Sequence, residues 1–101
     1  MIQFRPGMEV VFTGKSLLTR AEMMRLCTMA GLDFCPRVTL TTSLLVCGEG
    51  NRRTTKRQAA VGLGVKTISD IEFFAALHQY DPEVDDFLTM RGIVHHANSG
   101  V

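Results

Sequence analysis

A mainly parallel α/β sheet with helices on both faces is the fold class this sequence predicts, and three observations predict it. Short apolar runs alternate along the chain with helix-length segments, the signature of strands joined by right-handed crossovers. Three helix starts carry one device, a Thr or Ser followed by Glu or Gln three positions on: Thr19-Arg20-Ala21-Glu22, Thr55-Lys56-Arg57-Gln58 and Ser69-Asp70-Ile71-Glu72. The run Ser43-Leu44-Leu45-Val46-Cys47 has no polar alternation, as a strand covered on both faces requires.

Residues 1–7 read as a lead-in ending on a Pro6-Gly7 turn. Met8 to Phe12 is the first strand, and Gly14 to Leu18 a loop. Thr19 caps the first helix, where Met23, Leu26, Cys27 and Ala30 share one face at helical spacing. Gly31 ends it in the left-handed region. Phe34 to Val38 is a strand, and Pro36, which cannot donate to a ladder, places it at a sheet edge. Ser43–Cys47 follows, then a loop through Gly48-Glu49-Gly50-Asn51. Thr55 opens a helix through Ala59, Ala60 and Val61 that Gly62 and Gly64 end. Val65 to Ile68 is a further strand, and Ser69 opens a helix with Ile71, Phe74, Ala75 and His78 along one face. The order is β-α-β-β-α-β-α.

Asp81-Pro82 is another helix start, with Asp as cap and Pro in the first turn. Val84, Phe87, Leu88 and Met90 follow on one side, and Gly92 is a stop. Residues 79–92 therefore form an extra helix, which either packs on this domain or belongs against another part of a longer protein. Residues 93–101 read as a frayed tail.

The 101 residues fit one domain, with 46% hydrophobic and 21% charged residues, so a core forms without disulfides or metal. A net charge of +1 gives no whole-chain attraction to nucleic acid; such a role rests on local clustering. Cys27, Cys35 and Cys47 make no CxxC pair and no zinc-spaced set, and read as buried reduced thiols of a cytosolic protein. Met1 does not lead into a basic-then-apolar run, and no apolar stretch approaches the roughly 20 residues that span a bilayer. The expected location is the cytoplasm, without membrane contact. His95-His96 reads as solvated, and the methionines read as core filler.

The chemistry concentrates after the first strand. Val10-Val11-Phe12 runs straight into Thr13-Gly14-Lys15 and then a helix, which puts a hydroxyl and a backbone N–H at the carboxyl end of a buried strand. Parallel sheets bind ligands at that end. Arg20 and Lys56 each fall in the first turn of a helix, so two basic side chains with favourable helix dipoles can converge there on a small anion. Basic residues cluster nearby at Arg52, Arg53 and Arg57, with Lys15 on the other side; they are either further contacts to a phosphate backbone or an ordinary solvated loop. The phosphate-loop pattern GxxxxGK[ST] is absent, as are a Ser-His-Asp set, paired carboxylates and HExxH. No catalytic residue, metal, cofactor or small-molecule substrate is expected.

Several segments in their order and spacing resemble a BRCT domain. They are Val10-Val11-Phe12-Thr13-Gly14, Thr19-Arg20-Ala21-Glu22, Ala30-Gly31, Val38-Thr39, Thr42 to Glu49, Lys56 with Ala59-Ala60, Leu63 to Ser69, and Glu72-Phe73. The resemblance is to the bacterial and replication-factor type, found in NAD-dependent DNA ligases, the large subunit of replication factor C and the epsilon-like exonucleases of DNA polymerase III. It places the domain at residues 8–78. Departures are Leu32 where members often have a second glycine, and Phe73 where many have Trp.

The resemblance implies a three-layer sandwich: a four-stranded parallel sheet in order 2-1-3-4, two helices on one face and one on the other. It also implies roles. Phosphate-binding members use a Ser or Thr hydroxyl, the N–H of the next Gly and a Lys from the second helix, to which the replication-factor type adds an Arg at the start of the first helix. These fall on Thr13, Gly14, Lys56 and Arg20. Two functions follow. The first is a non-catalytic module of a bacterial, nucleoid-associated replication or repair protein, binding DNA ends or nicks through a 5′-phosphate without reading sequence. The parent enzyme leans to the exonuclease group over the ligase, with this chain as its carboxyl-terminal part. The second is a protein-interaction module that docks a phosphopeptide or a constitutive partner, to which an exposed patch at Phe87 and Leu88 would contribute.

Overall fold

The computed structural model describes residues 2–49, 55–81, 84 and 88. Its elements are β1 (Glu9–Thr13), α1 (Arg20–Met29), β2 (Asp33–Phe34), β3 (Leu44–Cys47), α2 (Thr55–Leu63), β4 (Lys66–Ser69) and α3 (Asp70–Tyr80). The four strands form one parallel sheet in the order β2-β1-β3-β4. The chain therefore reverses direction of travel across the sheet at β1, and the crevice beyond the carboxyl ends of β1 and β3 is its topological switch point.

Two cores sandwich the sheet, and strand alternation sorts residues between them. Val10 and Phe12 of β1, Leu44 and Val46 of β3 and Ile68 of β4 face α1 and α3. Val11, Leu45 and Cys47 face Ala60 of α2. Both faces of β1 and β3 are thus covered, which is why neither strand shows a polar alternation. The larger core is aromatic. Phe73 meets Phe12 and Phe4 edge-on, with ring centroids 5.2 and 5.7 Å apart, and Phe4 continues to Tyr80 at 5.3 Å. Phe4 makes the segment before β1 part of the core, while Pro6-Gly7 forms the turn, with Gly7 at φ +82°.

Capping boxes at Thr19 and Ser69 are both formed, each hydroxyl accepting from the Glu N–H and each Glu carboxylate accepting from the cap N–H. The box expected at Thr55 is not: Thr55 is the first residue of α2, one position too late to cap it. Residue 54 lies outside the described residues. Gly62 does not end α2 either; the helix runs through it to Leu63, and Gly64 at φ +70° makes the turn.

Two further expectations are corrected. β2 is two residues long and does not reach Val38, because Pro36 takes the chain away from β1 directly after Cys35 donates to the Val10 carbonyl. Its edge position stands. The inward face of α3 is Asp70, Phe73, Phe74 and Leu77, whereas Ile71 and Ala75 are exposed. Both phases have helical spacing. The winning one buries two phenylalanines and a leucine against the sheet, the larger apolar area. Cys27 and Cys47 are buried and Cys35 is half-buried, all as free thiols. Burial and then the neighbouring Cys35 push the Cys27 thiol up to about 12, which removes it from thiolate chemistry at neutral pH. Of the residues expected in a final helix, Val84 and Leu88 have helical backbone and lie fully buried in the larger core, so Leu88 is not surface; Phe87 lies outside the described residues.

At the end of the sheet β1 and β3 cross closely. Gly48 donates to the Thr13 carbonyl, and Lys15 and Glu49 then exchange two backbone hydrogen bonds of 2.6 and 2.7 Å. A Cβ on Gly48 would collide with the Lys15 carbonyl, and one on Gly14 would sit 2.8 Å from the Glu49 carbonyl oxygen at a φ of +82°. Gly48→Ala is expected to lower stability by about 2 kcal/mol or more, since the obstructing atoms are backbone. Gly62→Ala, with open space around it inside α2, should be neutral or raise stability by up to about 1 kcal/mol. Thermal unfolding of the two variants checks the contrast.

Candidate anion-binding site

The carboxyl end of β1 holds a pocket of about 190 Å³ on its β2 side. Thr13, Gly14, Arg20 and Lys56 all line it, with Ser16 beside them and Phe12 and Phe34 forming an apolar wall. Thr13 ends β1, and Gly14 is the first residue past the β1–β3 ladder. Arg20 stands at the start of α1 on one face of the sheet. Lys56 stands in the first turn of α2 on the other, so the two cations reach the same crevice from opposite layers.

The position of Lys56 has a traceable cause. Along β1, the Val10 carbonyl points towards β2, where it accepts from Cys35, and the Thr13 carbonyl points towards β3, where it accepts from Gly48. By the same alternation the Phe12 carbonyl points to the β2 side. Because Pro36 cuts β2 short, no strand residue reaches it. Lys56 Nζ donates to that carbonyl at 3.0 Å instead. The ammonium is thereby drawn over the end of the sheet and partly out of water. Burial, and then the Arg20 guanidinium, hold its pKa below the ordinary 10.5. A group so placed gains from any anion that enters, because an anion offsets both the burial and the Arg20 repulsion.

Arg20 is held differently. Its guanidinium carbon lies 5.1 Å from the centroid of the Phe34 ring, and Phe34 in turn stacks on Phe12 at 5.5 Å with an interplanar angle of 21°. Ser16 Oγ donates to Asp70 Oδ2 at 3.0 Å, which ties the loop between Gly14 and α1 to the start of α3.

The remaining basic residues of the expected set do not line this pocket. Lys15 lines a separate hollow with Ser16, Leu17, Glu49, Asp70 and Ile71. Arg57 lines a polar one at the ends of β3 and β4 with Cys47, Gly48, Ser69 and Glu72. Arg52 and Arg53 lie outside the described residues. Sequence reasoning missed Phe34 and Ser16 as pocket residues. Phe34 was readable only as an edge-strand residue; the signal that it stands beside Arg20 is the 2-1 strand order, which no local pattern carries. Among the described residues no group of three or more His, Cys, Asp or Glu is gathered to hold a metal ion, and no helix is long and apolar enough to cross a membrane.

A parallel three-layer domain with a cationic pocket at the carboxyl end of its first strand defines the class. The sequence matches the BRCA1 C Terminus (BRCT) domain family over residues 5–77, and the chain belongs to that family. Among solved structures it is similar to the crystal structure of Rad4 BRCT1,2 in complex with a Crb2 phosphopeptide, with a TM-score of 0.62 and 19% identity. The match covers 74% of this chain and 40% of that one. A comparison with curated proteins gave no match.

The Lys56 environment makes a direct prediction. Its ammonium should titrate below 10.5 in the folded chain, and Arg20→Gln should move it only part of the way back, because burial is the larger cause. NMR titration with labelled lysine side chains reads both values.

Proposed function

We propose that this BRCT domain is a non-catalytic binding module that captures a terminal phosphate in the pocket lined by Thr13, Gly14, Arg20 and Lys56. The observation that carries this reading is the convergence of two cations from opposite layers on a hydroxyl and a glycine turn in one small crevice. The hydroxyl fixes the direction of one phosphate oxygen, and the glycine lets the backbone approach. Lys56 supplies a point charge and Arg20 a planar fork for two oxygens. Phosphate binding takes no bond apart here; the domain holds the group and leaves it unchanged.

The target this reading favours is the 5′-phosphate of a DNA end or nick, bound without regard to base sequence, in the service of replication or repair. Arg20 is the residue behind that preference, because the replication-factor type that the chain resembles adds an Arg at this position. A second reading, capture of a phosphorylated protein segment, is favoured by the similarity to the Rad4 structure, which holds a phosphopeptide.

An NMR titration with a 5′-phosphorylated duplex, its unphosphorylated twin and a phosphothreonine peptide separates these readings. The first expects shifts at Gly14 and Lys56 with the phosphorylated duplex alone. Preference for the peptide moves the assignment to the second, and indifference to phosphate on either ligand removes both. Lys56→Ala and Arg20→Ala should each weaken binding about tenfold to a hundredfold, the worth of one charge-assisted contact. Affinity should rise as pH passes about 6, where the phosphate gains its second charge. It should fall again in the alkaline range below 10.5, as Lys56 loses its proton.

A further inference from the structure

Arg20 and Lys56 repel one another, and Arg20 sits on the exposed first turn of α1, free to swing into solvent unless something restrains it. A carboxylate would restrain it, but would also cancel the charge and repel a phosphate. No Asp or Glu lines the pocket among the described residues. The ring face of Phe34 takes that place, 5.1 Å from the guanidinium. An aromatic face attracts a cation through its quadrupole and leaves the cation's net charge available to an anion. Phe34 is itself fixed. Its backbone pairs with Val10, its ring is stacked on Phe12, and Phe12 is held edge-on by the buried Phe73.

We infer that Phe34 is a positioning residue, whose ring aims the Arg20 guanidinium into the anion pocket against the repulsion of Lys56. This deepens the phosphate reading above and rests on it. Phe34 acts only through Arg20 and needs no contact with the bound group. An edge strand of two residues suffices to carry it, because the pairing of Phe34 with Val10 already places the ring beside the start of α1.

A double-mutant cycle with inorganic phosphate as the probe, followed by NMR, tests this. Phe34→Leu and Phe34→Met should each weaken phosphate about three- to tenfold, while Phe34→Tyr retains the affinity of the unaltered chain. In an Arg20→Ala background, Phe34→Leu should add less than about a twofold change, because the residue it positions is gone. Without phosphate, Phe34→Leu should also let Lys56 titrate at higher pH, since the neighbouring charge moves off. Unchanged affinity in Phe34→Leu and Phe34→Met, or losses that multiply with those of Arg20→Ala, overturn the inference and leave the phosphate reading standing. If the unaltered chain binds no phosphate, that reading falls. The Lys56 titration then decides this one: a shift in Phe34→Leu upholds the restraint of Arg20, and no shift overturns it.

Discussion

Two strands that run parallel and then pass each other at backbone contact set the geometry of this domain. Beyond the last rung between Thr13 and Cys47, the chain segments at Gly14 and Gly48 lie too close for any side chain between them. Lys15 and Glu49 close the junction with paired hydrogen bonds. The pairing anchors both loops that leave the carboxyl end of the sheet: one leads to α1 and its Arg20, the other towards α2 and its Lys56.

The second determinant is an incomplete strand. Pro36 ends β2 early and leaves the Phe12 carbonyl without a ladder partner. A buried acceptor with no donor is costly, about 1–3 kcal/mol, so the structure supplies one, and the donor is an ammonium. One proline at a sheet edge thus accounts for where a lysine on the opposite layer points. The same short strand presents Phe34, whose ring holds the other cation. Like charges are kept together by two uncharged partners, a carbonyl and an aromatic face, and the net positive charge of the crevice survives.

Much of this was legible beforehand. The capping hydroxyls of Thr19 and Ser69, the apolar β3 run and the edge placement forced by Pro36 are local signals, each with a local physical cause, and each matches the structure. Resemblance added the strand order, which local patterns do not contain. The face of α3 was misread because Ile71, Phe74, Ala75 and His78 have the same spacing as Asp70, Phe73, Phe74 and Leu77, and only the sheet beneath chooses between them. Thr55 was misread as a cap because a helix boundary moves by one residue without changing the sequence pattern.

By itself, then, the chain determines its alternating elements, its edge strand and which groups can carry charge at helix starts, because these follow from hydrogen-bonding and periodicity within a few residues. The tertiary structure alone decides which cations meet. Lys15 and Arg57 also carry positive charge and lie as near to the glycine turns or the helix start, yet they line other hollows. What separates them is the direction in which one strand's carbonyls point and the ring a neighbouring strand places beside α1. Both are fixed only when segments far apart in sequence pack into one sheet.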